Sequence, residues 1–234
     1  MRYAIYFMPP ADDPLWQFGS AILGYDAATG VETGPPKFPA FAGLPIGEWT
    51  REPRRYGFHA TLKPPFYLRD GCSEQQLLAH ARAFAASRRV FVDPPLRLSQ
   101  LGGFHALVLS QPSPALHALA DDSVREFDRF RAPLTEHDRQ RRLLRPFSAR
   151  QLDYLERWGY PHVFEEFIFH MTLSGWLAEP ERQRLAAPLA EIYAGVAAPL
   201  VFDAIAVFVQ PSERDCFHVL ERCVFGDVLP QRPV

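Results

Sequence analysis

The sequence is short of lysine, of cysteine and of net charge, and each shortage closes off a class of function. Among 25 basic side chains only Lys37 and Lys63 are lysines. A formal net charge of -2 over 234 residues, with a pI near 6.4, argues against a chain whose main task is to coat nucleic acid, although a local basic cleft stays open. The three cysteines, Cys72, Cys216 and Cys223, form no zinc-type spacing and cannot all pair, so a reduced, cytoplasmic setting is expected. The opening run Met1-Arg2-Tyr3-Ala4-Ile5-Tyr6-Phe7 is too short for a membrane span, and Pro9-Pro10 and acidic residues follow it. It reads as a first strand rather than a signal peptide or anchor. Walker-type phosphate loop, dinucleotide fingerprint and Gly-x-Ser-x-Gly elbow are all missing, and no cofactor is expected.

What the sequence does hold is one short phrase written twice: Phe58-His59-Ala60-Thr61-Leu62 and Phe169-His170-Met171-Thr172-Leu173. With 8 His, 6 Thr and 26 Leu in the chain, composition alone would produce His-x-Thr-Leu roughly 0.02 times. Each copy sits in an apolar run, residues 56–68 and 164–177, that reads as a strand. Residues two apart on a strand share a face. His59 and Thr61 therefore lie on one face and Phe58, Ala60 and Leu62 on the other, and the second copy repeats the pattern. The same parity predicts Lys63 beside His59 and Thr61, and Ser174 beside His170 and Thr172.

The repeat is larger than the phrase. After each copy come a helix, a strand and a return strand: a helix from Ser73 to about Ser87 and strands near 90–101 and 105–110, then a helix over 179–194 and strands over 199–210 and 215–225. Phe104-His105-Ala106-Leu107 and Phe217-His218-Val219-Leu220 mark the two return strands. The expected object is α+β: one bilobal domain over 1–234, with repeat units near 56–130 and 164–228 and a connector near 131–163. Its two mainly antiparallel sheets would carry outer helices, be related by a pseudo-two-fold, and place the motif strands face to face across a central cleft. Residues 26–55, rich in Gly and Pro, read as a long rim loop ending in the basic cluster Arg51 to Arg55. The connector adds Arg139, Arg141, Arg142 and Arg145.

Two imidazoles across a cleft suit a reaction that needs a base on one side and an acid on the other near neutral pH. Phosphodiester displacement is such a reaction. Threonine hydroxyls would hold the charge on the non-bridging oxygens. His59 and His170 are the candidate acid–base pair. Thr61, Thr172, Lys63, Ser174, Tyr56, Arg55, Tyr160 and Arg145 are the candidate substrate contacts. Metal hydrolysis fits less well, because no carboxylate lies at the inward motif positions, though Glu165 and Glu166 upstream of His170 leave it open. Of the other histidines, His80, His117 and His137 read as surface residues, His105 and His218 as a structural pair shared by both units, and His162 as a candidate for the cleft lining.

The strings Arg55-Tyr56-Gly57-Phe58-His59-Ala60-Thr61-Leu62-Lys63-Pro64-Pro65-Phe66 and Phe169-His170-Met171-Thr172-Leu173-Ser174-Gly175, with Trp158-Gly159-Tyr160-Pro161, resemble the 2H phosphoesterases. Within them the nearest likeness is to phosphonate-metabolism proteins encoded beside carbon–phosphorus lyase genes. The resemblance covers essentially the whole chain. It implies a bilobal fold and metal-independent cleavage of a cyclic phosphate or small phosphodiester, with the two His as acid and base. The partner would be a small phosphorylated molecule, with no membrane and no obligate protein partner. RNA ends, as in the 2′,3′-cyclic phosphodiesterase and 2′-5′ ligase-like members, and a binding module without turnover are the alternatives.

Overall fold

The computed structural model describes residues 1–143 and 146–226, the side chains of His137 and Arg141 excepted. Arg145 thus lies outside the described residues. The chain opens with β1 (Arg2–Phe7) and α1 (Pro14–Leu23), which Asp13 caps at its start and left-handed Gly24 ends. The expected rim loop contains the hairpin β2 (Tyr25–Asp26) and β3 (Val31–Glu32) and two single-turn helices, α2 (Ile46–Trp49) and α3 (Arg51–Arg54). β4 (Ala60–Phe66) carries the first motif. α4 (Glu74–Ala86) starts in the capping box that Ser73 and Gln76 predict, with both reciprocal bonds made. β5 (Phe91–Asp93), β6 (Arg97–Leu101), β7 (Phe104–Val108) and α5 (Pro114–Phe127) complete the first unit. The connector forms α6 (Glu136–Arg142) and α7 (Ala149–Trp158). β8 (His170–Thr172), α8 (Glu179–Ala194), β9 (Leu200–Phe202), β10 (Ala204–Gln210) and β11 (His218–Val224) repeat the order.

The α+β class with mainly antiparallel pairing holds. Its centre is tighter than expected. A single seven-stranded sheet runs β11-β10-β1-β4-β8-β7-β6, and the motif strands are neighbours within it rather than faces across a gap. They touch at Ala60 opposite Met171. Each return hairpin lies beside the other unit's motif: β7 pairs with β8, while β10 reaches β4 through β1. The small β5–β9 sheet ties the units a second time. One core of Ile5, Phe58, Leu62, Leu77, Leu107, Met171, Leu185, Phe202 and Val207 therefore runs under both units.

The motif strands are also shorter than residues 56–68 and 164–177. The first begins only at Ala60, because Gly57 takes the left-handed region at φ 70°. The second spans three residues, since the N–H groups of Leu173 and Ser174 both turn to the His105 carbonyl. Residues Phe164–Glu166 form a 3-10 turn instead of strand.

Candidate active site

His59 stands at the entrance of β4, held on three sides. A Cβ at Gly57 would lie 2.6 Å from Ala27 Cβ, so the left-handed turn there takes only glycine. That turn presents the Gly57 carbonyl to His59 Nδ1 at 2.9 Å. The imidazole stacks on Tyr6 of β1, ring centroids 3.7 Å apart and planes 21° from parallel. Its Nε2 meets Thr61 Oγ1 at 3.2 Å. A carbonyl can only accept, so Nδ1 carries the proton, and the neutral ring offers its Nε2 lone pair to the Thr61 hydroxyl. Burial pushes the His59 pKa down to about 4; the bond to Gly57 opposes this and the nearby His170 adds to it.

His170 uses the same device with fewer neighbours. Its Nδ1 donates to the Ile168 carbonyl at 2.8 Å, again two residues upstream, and leaves the lone pair on Nε2. The Phe104 ring is 5.9 Å away and tilted. Burial lowers this imidazole's pKa as well, against the Ile168 bond.

The antiparallel register crosses the two copies. One residue to either side of the Ala60–Met171 pair, His59 comes opposite Thr172, and Thr61 comes opposite His170. Two cavities follow that crossing. One of about 450 Å³ joins His170 and Thr61 with Tyr160, His162, Phe164 and Phe104. The other, of about 260 Å³, joins His59 and Thr172 with Tyr56, Glu52, Trp176 and Phe104. Phe104 belongs to both walls. Among the described residues neither lining contains Arg or Lys; the charged members are Glu166 in the first and Glu52 in the second.

The remaining candidates divide. Tyr56 and Tyr160 line the cavities, and so does His162. Arg55 does not; it lines the adjoining open cleft beside Trp176, and its guanidinium donates to the Glu213 carbonyl. Ser174 belongs to the His59 cavity lining but is fully buried, its hydroxyl accepting from His105 N–H at 2.9 Å and donating to the Gly175 carbonyl at 3.0 Å.

Lys63 is not at the site. Against β1, Tyr6 faces Thr61 but Ile5 faces Lys63, so Leu62 is an extra residue in the ladder. That bulge turns Lys63 onto the face opposite Thr61 and defeats the count by twos. There it is 1% exposed, and Nζ donates to the Val124 carbonyl and to Asp128 Oδ1, each at 3.0 Å. Burial lowers its pKa to about 8 despite Asp128.

His105 and His218, the pair expected to be structural, sit in different surroundings and line neither cavity. His105 is buried on β7 next to the second motif, with no partner on either ring nitrogen, while His218 lies half-buried on the edge strand β11. His117 is exposed as expected, but His80 is half-buried, edge-on to Phe127 and 3.5 Å from Glu126. Glu165 accepts from the Tyr154 hydroxyl and Glu166 from Gln151 at 3.0 Å. Among the described residues there is no group of three or more His, Cys, Asp or Glu that could hold a metal ion, and no helix long and apolar enough to cross a membrane. Phe104, Glu52 and Trp176 are cavity residues that sequence reasoning missed, as is Tyr6, buried behind His59. Gly175-Trp176 follows the second motif directly, but nothing in a string of letters says that an aromatic will stay exposed.

The family described as "Protein of unknown function (DUF1045)" matches residues 61–218. A protein of Janthinobacterium sp. (strain Marseille), "Ribose 1,5-bisphosphate phosphokinase PhnN", is 39% identical over 88% of this chain and 47% of its own length. A protein of the same name from Laribacter hongkongensis (strain HLHK9) is 33% identical over 94% of this chain and 50% of its own. The chain thus spans about half the length of the curated relatives it matches. Solved structures similar to it include a phosphoesterase at a TM-score of 0.41, the TT0787 protein of Thermus thermophilus at 0.43 and E. coli LigT in apo form at 0.39. Each is 14% identical, over 97% of this chain and 98% of the other. Overlays this loose carry no detail across to the site.

Proposed function

The chain belongs to the DUF1045 family, and we propose that it is a metal-independent phosphoesterase that opens a cyclic phosphate, with His59 and His170 as its acid–base pair. The observation that carries this is the crossed arrangement: each imidazole has its Nδ1 held by the carbonyl two residues upstream, and each lines a cavity together with the threonine of the other copy. In the proposed step one neutral Nε2 takes a proton from a water as its oxygen attacks phosphorus. The other imidazole, protonated, gives its proton to the ester oxygen as that P–O bond breaks. The product is an open phosphomonoester, and the two histidines have exchanged protonation states. The Thr61 and Thr172 hydroxyls donate to the non-bridging oxygens.

The acid–base pair also supplies positive charge. Among the described residues neither lining contains Arg or Lys, so imidazolium is the cation these linings offer a bound phosphate, and binding draws in a proton. The lowered pKa values keep both rings neutral at pH 7 in the empty site, and an anion between them raises both.

The relatives' name concerns a kinase of ribose 1,5-bisphosphate in proteins twice as long. This chain has no glycine-lysine phosphate loop, so what we carry over is the substrate chemistry: a ribose phosphate whose cyclic ester opens to a phosphomonoester. That reading also fits the resemblance to phosphonate-metabolism proteins. The test is phosphorus NMR of glycerol 1,2-cyclic phosphate, ribose cyclic phosphates and 2′,3′-cyclic RNA ends with wild type, H59A and H170A in chelator. Ring opening by wild type and by neither variant is expected. Turnover by both variants sinks the proposal. Tight binding without conversion favours a binding module instead, and preference for long RNA ends favours an RNA enzyme.

A further inference from the structure

Trp176 is 68% exposed, the most exposed aromatic side chain among the described residues, yet it is held rigidly. Gly175 N–H donates to the Trp49 carbonyl at 2.7 Å, and Leu177 N–H donates to the Gly103 carbonyl at 2.8 Å, so the backbone is fixed on both sides of it. The indole lies flat on the Gly102–Gly103 turn. A Cβ at Gly103 would come within 2.3 Å of ring atoms Cδ2 and Cε2, and one at Gly102 within 3.2 Å of Cη2. Two glycines therefore make the bed for one face of the ring. The rest of the indole lines the His59 cavity and runs on into the open cleft beside it. A large apolar ring fixed in water beside a reactive imidazole is a cost to solubility unless something covers it.

The chemistry of the surroundings narrows what does. Glu52 lines the same cavity and, when ionised, only accepts hydrogen bonds. The ligand edge that reaches it must carry donors. At about 260 Å³ the cavity has room for a phosphate and a five- or six-membered ring beside the indole. A ring with an apolar C–H face and hydroxyls around its rim is a sugar. We propose that Trp176 and Glu52 form a sugar-ring subsite, the indole under the C–H face and the carboxylate accepting from ring hydroxyls, which sets the substrate as a sugar phosphate rather than a bare phosphodiester. This rests on the phosphoesterase reading for its kinetic consequence but not for its binding consequence.

Two measurements separate the two. In kinetics, W176A raises KM for a ribose cyclic phosphate about tenfold and leaves kcat within about twofold, while KM for glycerol 1,2-cyclic phosphate, which has no sugar ring, does not move. W176F recovers most of the loss, and E52Q raises KM for the ribose ester only. In binding, the tryptophan fluorescence of wild type changes on titration with ribose 5-phosphate and not with inorganic phosphate, and W176F loses the change. Equal losses on the ribose and glycerol esters, or no loss on either, overturn the subsite. A larger loss on adenosine 2′,3′-cyclic phosphate than on the ribose ester also overturns it, since the indole then serves a base. If wild type turns over nothing but the fluorescence response holds, the function fails and the subsite stands; if turnover holds and the response is absent, the reverse is true.

Discussion

The two motif copies are nearly the same string, and the fold treats them differently. The first is gripped. β1 lies between it and the second unit's hairpin, Tyr6 stacks on its imidazole at 3.7 Å, and its own Thr61 holds Nε2. The second is held less closely. Its strand is three residues long, it pairs directly with β7, and the Phe104 ring stands tilted 5.9 Å from His170. A duplicated phrase therefore orients two imidazoles alike at Nδ1 without making a symmetric site. The asymmetry comes from what the rest of the chain inserts beside each copy. Only the i−2 carbonyl on Nδ1 is common to both, because it is local to the phrase.

That comparison can be broken most forcefully at the imidazoles themselves. H59A and H170A are each expected to lower kcat by about 10³-fold, with circular dichroism unchanged; a loss in only one would show that the copies do not act as a pair. Next come the hydroxyls. T61V and T172V should each cost about 10²-fold in kcat, and T61V, which also frees His59 Nε2, should alone shift the pH profile. Tyr6→Leu tests the grip. It removes the stack on His59, so kcat should fall about tenfold and the His59 pKa, followed by proton NMR, should rise from about 4 toward 6.5 while His170 stays where it is. Equal shifts at both rings would say the two sites are not distinct.

The pH behaviour sharpens the same point. In the free protein both imidazoles titrate below 6.5, so kcat/KM should lose its protonated acid already on the acid side of neutrality. In the complex the anion raises both pKa values, and the kcat profile should sit at higher pH. Phosphate affinity should tighten as pH falls from 8 to 6. Stability has the opposite sense. A histidine whose folded pKa is below its unfolded value is neutral in both states above 6.5. As pH falls from 6.5 toward 4, only the unfolded chain gains the proton, and stability is lost across that window. The urea midpoint of wild type should fall more than that of H59Q between pH 7 and pH 4.

Lys63 gives the smallest effect on activity. It is the residue that looked most like part of the first site and is not. Lys63→Ala should leave kcat and its pH profile within about twofold, yet lower stability by about 3 kcal/mol, since it strips the buried partner from Asp128. Arg131, also on Asp128 at 2.7 Å, limits the damage. A changed pH profile would return Lys63 to the site.

The sequence was a good guide where structure is local. The helix starting at Ser73 appears with its capping box, the one after Ser148 with its left-handed Gly159 stop, and the one at Glu179–Ala194 as expected. Caps and 3.6-residue periods are decided by neighbours in the chain. The paired His-x-Thr phrases also pointed to four residues that the fold gathers on two neighbouring cavities, His59, Thr61, His170 and Thr172. What misled was counting by twos past Leu62. A bulge is invisible to alternation, because it depends on how the partner strand β1 seats against Pro64-Pro65. Ser174 does line the His59 cavity, but β8 ends at Thr172 and its hydroxyl is turned to the His105 N–H, which the strand count did not show.

By itself, then, the sequence determined the element order, the repeat and the identity of the candidate reactive side chains, since each is written in spacing and side-chain type. The carbonyl that fixes each imidazole's tautomer is local as well, two residues upstream in both copies. Only the tertiary structure decided that the motif strands pair rather than face each other, that each histidine shares a cavity with the other copy's threonine, and that Lys63 turns away while Tyr6 backs His59 and Phe104 and Trp176 line the cavities. The reason is physical. Strand pairing and register are long-range choices, made by which edges meet when one shared core is buried, and no local run of residues encodes its partner.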